Sequence, residues 1–252
     1  MFESCLFCLR QFEKTRAWHT FCSRHCLDTY RNQQKPRKTG KRYSIASAKK
    51  KVNIPEEDLE IIRGCLLGDA CLILQTDGFH RMSICHSNKQ FEYLNWKRTL
   101  LPSIFICNEP PKNSVQSSIH SISHKDLTEI YGSLYRNKRK IITRRYLDLL
   151  TPTSLLFWFL DDGTRIKASG NAFIICSDSF SISENRAIAK WFWQSFKIKA
   201  FILESHGGFT DKTYYRLRFR KEDSLRLFHI MSQSRFFNEL PDTMKYKFDS
   251  YL

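Results

Sequence analysis

Leu155-Leu156-Phe157-Trp158-Phe159-Leu160-Asp161-Asp162-Gly163 sets two carboxylates at the end of six consecutive apolar residues. Thr151 is placed to cap a helix, Pro152 to begin it and Gly163 to close it. A run with no polar face belongs in the interior, against a partner of its own kind. A carboxylate in the last turn faces the negative end of the helix dipole, a cost of about 0.3–1 kcal/mol that a cation reverses. The stretch therefore asks for a cation site.

A second apolar stretch, Ile61-Ile62-Arg63-Gly64-Cys65-Leu66-Leu67-Gly68-Asp69-Ala70, also runs into an aspartate, 93 residues before Asp162. Pro55 followed by Glu56, Glu57 and Asp58 supplies its helix start. Gly64 and Gly68 fall on one face, where missing side chains let a second helix come close. Side by side, the two helices would bring Asp69 and Asp162 together. Neighbouring carboxylates share either a proton or divalent cations.

These two stretches resemble the LAGLIDADG homing endonucleases, in the single-chain form that carries the motif twice. Gly64 to Ala70 is similar to the last seven positions of the motif and Leu155 to Gly163 to all nine, with Asp69 and Asp162 at the penultimate acidic position. Ala70 stands where the family usually has its final glycine. The likeness runs from about Pro55 onward, taking in Leu149-Leu150-Thr151-Pro152 and Cys176-Ser177-Asp178-Ser179-Phe180-Ser181. It implies a homing endonuclease that cuts both strands of a long DNA site, with Asp69 and Asp162 binding Mg2+ and main-chain oxygens of Gly68 and Asp161 at the adjoining ligand positions. Lys221 takes the place of the basic residue beside the attacking water, and His124 or Lys125 stands there in the first half. The implied partner is double-stranded DNA or, for a maturase on the same fold, intron RNA. The implied setting is intracellular and organellar, mitochondrion or chloroplast, and the implied state a monomer with an internal pseudo-two-fold axis.

The rest of the chain repeats one order. Residues 72–76 and 79–86 flank an Asp77-Gly78 turn, a hairpin signal. Ser87-x-x-Gln90 has the form of a capping box ahead of a helix through Phe91, Leu94 and Leu101, and residues 115–123 read as a strand before a helix over 124–135. After the second motif come Arg165, Lys167 and a Ser169-Gly170-Asn171 turn, a strand over 172–176, a helix capped by Ser181-x-x-Glu184, a hairpin about Gly207-Gly208 and a helix over 221–231. The expected fold is α/β, mixed α+β, with two pseudo-symmetric αββαββα halves over 53–150 and 151–252. The halves would form a saddle of antiparallel sheets, each with one face on helices and one face free. In Arg216-Leu217-Arg218-Phe219-Arg220, alternation sends the arginines to the free face and Leu217 and Phe219 to the core. With Arg165 and Lys167, that row suits phosphates and guanine edges.

Composition agrees. The chain has 252 residues, 42% of them apolar, enough for a packed core, and its net charge of +16 points to a polyanion. The longest apolar run is far short of the ~18 residues a membrane span needs. No charged leader precedes an apolar core at Met1, and nine cysteines, an odd number, argue for a reducing compartment. Paired acids also suit a glycosidase, but that chemistry has no use for a strongly basic sheet. Cys65, Cys71, Cys85, Cys107 and Cys176 are expected to be small core fillers, and His80, His86, His120 and His124 to be satisfied locally.

In front stands a separate pattern. Cys5-x2-Cys8 and Cys22-x3-Cys26 give four thiolates in two knuckle-like pairs, a spacing suited to structural Zn2+ in a module over 1–34. Over residues 35–51, eight of seventeen are Lys or Arg, which reads as a flexible basic linker, drawn to residue 52. One zinc per chain is expected by elemental analysis, falling sharply in Cys8→Ser; zinc-free protein, or unchanged zinc in the variant, would contradict the assignment.

Overall fold

A computed structural model describes residues 2–16, 19–34, 40–106, 115–206, 213–249 and 251. They fall into two compact units that meet in sequence between Ser47 and Ala48. The first unit holds an antiparallel pair, β1 (Phe2–Ser4) and β2 (Gln11–Glu13), and helix α1 (Arg24–Gln34). Helix α2 (Gly40–Lys49) lies within the stretch read as a flexible linker. Its Ile-Ala-Ser-Ala run carries good helix formers, which basic composition alone had hidden. Residues 48–52 are part of the second unit: Lys50 Nζ reaches Asp77 Oδ2 at 2.5 Å and the Val52 carbonyl lies 2.9 Å from His124 Nε2. The boundary therefore falls earlier than the sequence reading put it.

The second unit begins with α3 (Glu56–Leu67), β3 (Ala70–Leu74), β4 (His80–Ser87), α4 (Phe91–Leu100), β5 (Gln116–His124) and α5 (Lys125–Leu134). A short hairpin, β6 (Tyr135–Arg136) and β7 (Arg139–Lys140), and α6 (Arg144–Leu147) lead to α7 (Pro152–Asp162). The second half continues with β8 (Gly163–Ile166), β9 (Ala172–Ile175), α8 (Ile182–Phe196), β10 (Ala200–His206), β11 (Thr213–Phe219), α9 (Lys221–Met231) and α10 (Asp242–Lys245). One sheet runs β3-β4-β5 and the other β10-β11-β9-β8, all antiparallel. Among the described residues the first half has one strand, β5, at the place read as a strand or hairpin. Cys107 and the Gly207-Gly208 turn lie outside the described residues.

Alternation sets the two faces of each sheet. Along β4, His80, Met82, Ile84 and His86 are buried while Arg81, Ser83, Cys85 and Ser87 are not. Cys71 and Cys85 are exposed, so they are not core fillers; Cys65 is buried and Cys176 half-buried. In β11, Leu217 and Phe219 are fully buried. Local chemistry explains the helix starts. Thr151 accepts from Ser154 N and Pro152 opens α7, while Ser181 and Glu184 form a complete capping box on α8. The Ser87 box does not form; a 3-10 turn over Asn88–Gln90 precedes α4 instead, and the turn displaces the helix start past the serine's reach.

Helices α3 and α7 make the centre. A Cβ at Gly64 would meet the Ser154 carbonyl oxygen at 2.3 Å, and one at Gly68 would meet Asp161 Cβ at 2.4 Å. Ser154 Oγ donates to the Glu60 carbonyl at 2.8 Å, tying the two halves through a backbone oxygen, and Tyr146 OH donates to that of Arg63 at 3.0 Å within the first half. Gly64→Ala has no flexible neighbour to displace and should cost about 3 kcal/mol, the upper end of overpacking effects. An unchanged thermal midpoint in that variant would show that the helices are not packed as described.

Candidate active site

The two motif helices end beside one another, and three carboxylates gather where they do. Asp161 is the buried one, with a fully inaccessible side chain. Its Oδ1 accepts from Tyr93 OH at 2.8 Å and pairs with Lys97 Nζ, and its Oδ2 accepts from Asp69 N at 3.3 Å. Asp69 is partly open, and its Oδ2 lies 3.5 Å from His86 Nδ1. Asp69, His86 and Asp161 each offer an atom within 4.8 Å of the others, a set able to hold a cation. Asp162 completes the cluster electrostatically: burial first, then Asp161 and Asp69, push its carboxyl up to about 8. Asp69 is raised by burial and then by Asp161. Carboxylates that raise one another in this way are those a divalent cation would stabilise.

Lysines answer the helix dipoles. Lys247 Nζ donates to the carbonyls of Leu160 at 2.7 Å and Gly163 at 2.6 Å, with Phe159 at 3.3 Å, so the orphan oxygens ending α7 meet a buried cation. Lys140 Nζ donates to the Gly68 carbonyl at 2.9 Å and does the same for α3. Burial holds Lys247 down to about 8 and lowers Lys140 as well. Burial acts most strongly on Lys97 and pulls it down, but the charge and hydrogen bond of Asp161, together with Cys65 and Asp69, raise it on balance and keep it charged. Since an ammonium only donates, His86 Nε2, 3.2 Å from Lys97 Nζ, is the acceptor and Nδ1 carries the proton toward Asp69. Burial, then Lys97, lower His86 to about 4, so the ring is neutral at neutral pH.

Several expected site residues stand elsewhere. Lys221 opens α9 next to Gly170, whose added Cβ would meet Lys221 Cδ at 3.6 Å. Gly170 lies beyond the Ile166↔Ala172 end of the β8–β9 hairpin, whereas Asp162 adjoins the Gly163↔Ile175 end. Lys221 is thus remote from Asp162, and Lys140 and Lys247 are the lysines whose charge acts on it. His124 and Lys125 are likewise at the far end of their sheet, where His124 pairs with His80 and caps α5. Asp161 contributes a buried side chain rather than only a main-chain oxygen, and the Gly68 oxygen already accepts from Lys140. Arg165 pairs with Phe173 and so lies on the helix-covered face; its side chain is 6% exposed, bound to Asn171 and to the Tyr246 carbonyl. Arg220 has left the strand to precede α9, stacked 4.6 Å from the Phe201 ring. Lys167 is exposed, and Arg216 and Arg218 do face the open side.

The four N-terminal sulfurs converge: Cys5, Cys8, Cys22 and Cys26 lie within 4.8 Å of one another, with Cys8–Cys22 and Cys22–Cys26 at 3.5 Å. Four sulfurs so close form a set able to hold a tetrahedral cation. His19 is bonded to Thr15 at 2.9 Å and takes no part.

The acids carry a pH signature. Asp162 keeps its proton in the folded chain up to about 8, while the unfolded chain releases it near 3.8, so this group removes stability as pH rises. His86 acts oppositely, but only below its unfolded value of 6.5, and Lys247 is protonated in both states below about 8. The metal-free protein should therefore lose thermal stability between about pH 6.5 and 8, and Asp162→Asn should flatten that decline. A midpoint that rises over this window would refute the burial of Asp162.

Comparison with known proteins places the architecture. Residues 59–227 match the model of the LAGLIDADG DNA endonuclease family. The fold resembles the homing endonuclease I-WcaI bound to its DNA recognition sequence, with a TM-score of 0.68, 16% identity, and coverage of 86% of this chain and 96% of that one. The cytochrome b mRNA maturase bI2 of Debaryomyces hansenii is 23% identical over 211 residues, 79% of this chain and 76% of that protein. The protein RecA of Mycobacterium gastri is 30% identical over 119 residues, 44% of this chain; the match spans only 27% of that relative's length. No described helix is long and apolar enough to cross a membrane. With its motif helices paired and their aspartates gathered at one end, the chain belongs to the LAGLIDADG DNA endonuclease family.

Proposed function

We propose that this chain is a site-specific, Mg2+-dependent DNA endonuclease that cuts both strands of a long target. The observation that carries the reading is the carboxylate cluster at the joined ends of α3 and α7. Burial and the Asp161 charge raise the proton affinity of both Asp69 and Asp162, a setting that favours divalent cations. Bound there, Mg2+ would activate water and stabilise the leaving oxygen. Asp69 and Asp162 would hold the cations, one for each strand. Lys97 and Tyr93 keep Asp161 in place, and His86 orients Asp69 from behind. Lys247, held down to about 8, is able to exchange a proton near neutral pH beside Asp162. Double-stranded DNA would lie along the open sheet faces, drawn by a net charge of +16. The four-cysteine module would hold structural Zn2+, and the basic stretch after it would follow phosphates.

A second reading, an RNA-binding maturase, is favoured by the maturase relative, whose likeness extends over most of both chains. On that reading the same basic surface binds intron RNA and the acids need not cut. An organellar setting belongs to either reading.

Asp69→Asn and Asp162→Asn should each abolish Mg2+-dependent double-strand cleavage while DNA binding in Ca2+ persists or tightens. Cleavage retained by the double variant would defeat the assignment. Wild type that cuts no DNA, together with variants that still support splicing of an intron RNA, would favour the maturase.

A further inference from the structure

The two open sheet faces are built differently, and the difference centres on one ion pair. Arg216 presents Nε to Asp178 Oδ1 at 2.8 Å and Nη2 to Asp178 Oδ2 at 2.9 Å, a fork-on-fork contact between two partly exposed side chains. Arg216 lies on the open face, since its neighbour Leu217 is buried and pairs with Ile175. The pair also adjoins the second motif: Cys176, next along the chain from Ile175, donates its N–H to the Asp162 carbonyl at 2.9 Å.

Register identifies the matching positions in the first half. Ile84 pairs with Ala70 at the end of the first motif as Ile175 pairs with Gly163 at the end of the second. Ile119 faces Ile84 as Leu217 faces Ile175, so Ser118 occupies the place of Arg216 and His120 that of Arg218. Ser87 stands three residues after Ile84, as Asp178 does after Ile175. The first half thus carries hydroxyls and an imidazole where the second carries a braced arginine.

A guanidinium bound through its Nε/Nη2 edge keeps its outer edge, Nη1 and the second Nη2 hydrogen, directed away from the carboxylate. Two parallel donors at fixed spacing match O6 and N7 of guanine in the major groove. Because Asp178 already fixes the side chain, less conformational freedom is lost on contact. The same carboxylate disfavours a phosphate, whose charge it would repel. We infer that Arg216, positioned by Asp178, reads one guanine close to the cleavage position in the half-site of the second repeat, and that the first repeat makes no equivalent demand. This rests on the DNA-binding reading above.

The test is selection of a randomised duplex DNA library on the full-length protein in Ca2+, followed by sequencing of the retained duplexes. Wild type should enrich guanine at one position in one half of the site only. In Arg216→Lys, that preference should fall by about five- to 150-fold, the range for a bidentate base contact. Preferences elsewhere should remain, which also shows that the variant is folded. Asp178→Asn should weaken the same preference and leave the others. Unchanged preference in both variants, or a uniform loss of affinity without a change at any single position, would overturn the inference and indicate a phosphate contact. Absence of any selective retention by wild type would overturn it together with the parent reading, whereas selective retention without the single-position effect overturns the inference alone.

Discussion

The distance between helices α3 and α7 governs everything else in the second unit. Two glycines one turn apart let the backbones come so close that a methyl group at either would collide with the partner helix. At that spacing the two helix termini share one small volume, and side chains from one motif fall among the elements of the other half. Asp161 belongs to the second motif, yet its partners Tyr93, Lys97 and the Asp69 amide all come from the first half. The buried ion pair is thus a lock between halves. Removing one partner would leave an uncompensated charge in the interior, a loss of about 3–5 kcal/mol in comparable cases.

Much of this was legible from residue order. The Thr151-Pro152 start, the Gly163 end, the shared face of Gly64 and Gly68, and the outward arginines of β11 each depend on local periodicity, which a sequence displays directly. The placing of Asp69 and Asp162 at the ends of apolar runs was equally plain, but the buried role of the Asp161 side chain was not. Nor were the cations that balance these acids. Lys97 follows Phe91 and Leu94 on the apolar face of α4, and a lysine at a core-spaced position was the available signal. Lys140 and Lys247 reach the motif ends through tertiary folding, from 72 and 87 residues away, and no local pattern marks them. Lys221 was assigned by resemblance, whereas the hairpin of β8 and β9 carries it to the end of the sheet away from Asp162.

The doubled aspartate also breaks the equivalence of the two repeats. Gly68 and Asp161 occupy corresponding positions, and the glycine makes room for the carboxylate that the other repeat supplies. One repeat therefore gives up a side chain and the other contributes it, a relation that a symmetric pair of identical motifs could not adopt. Once halves are fused in a single chain, each is free to specialise, and the braced arginine of β11 against Ser118 of β5 is the same freedom expressed on the outer surface.

Lys247 has a bearing on when the end of α7 is completed. It lies 87 residues after Leu160, whose carbonyl it occupies. During synthesis at ~5–20 residues per second, α7 leaves the ribosome several seconds before the lysine that completes its end. Through that interval the terminal carbonyls of α7 lack their buried donor, while Lys97 and Lys140 already stand beside the acids. The end of α7 is therefore among the last parts of this unit to be completed, and a nascent chain paused before Lys247 would hold those carbonyls without the ammonium that occupies them.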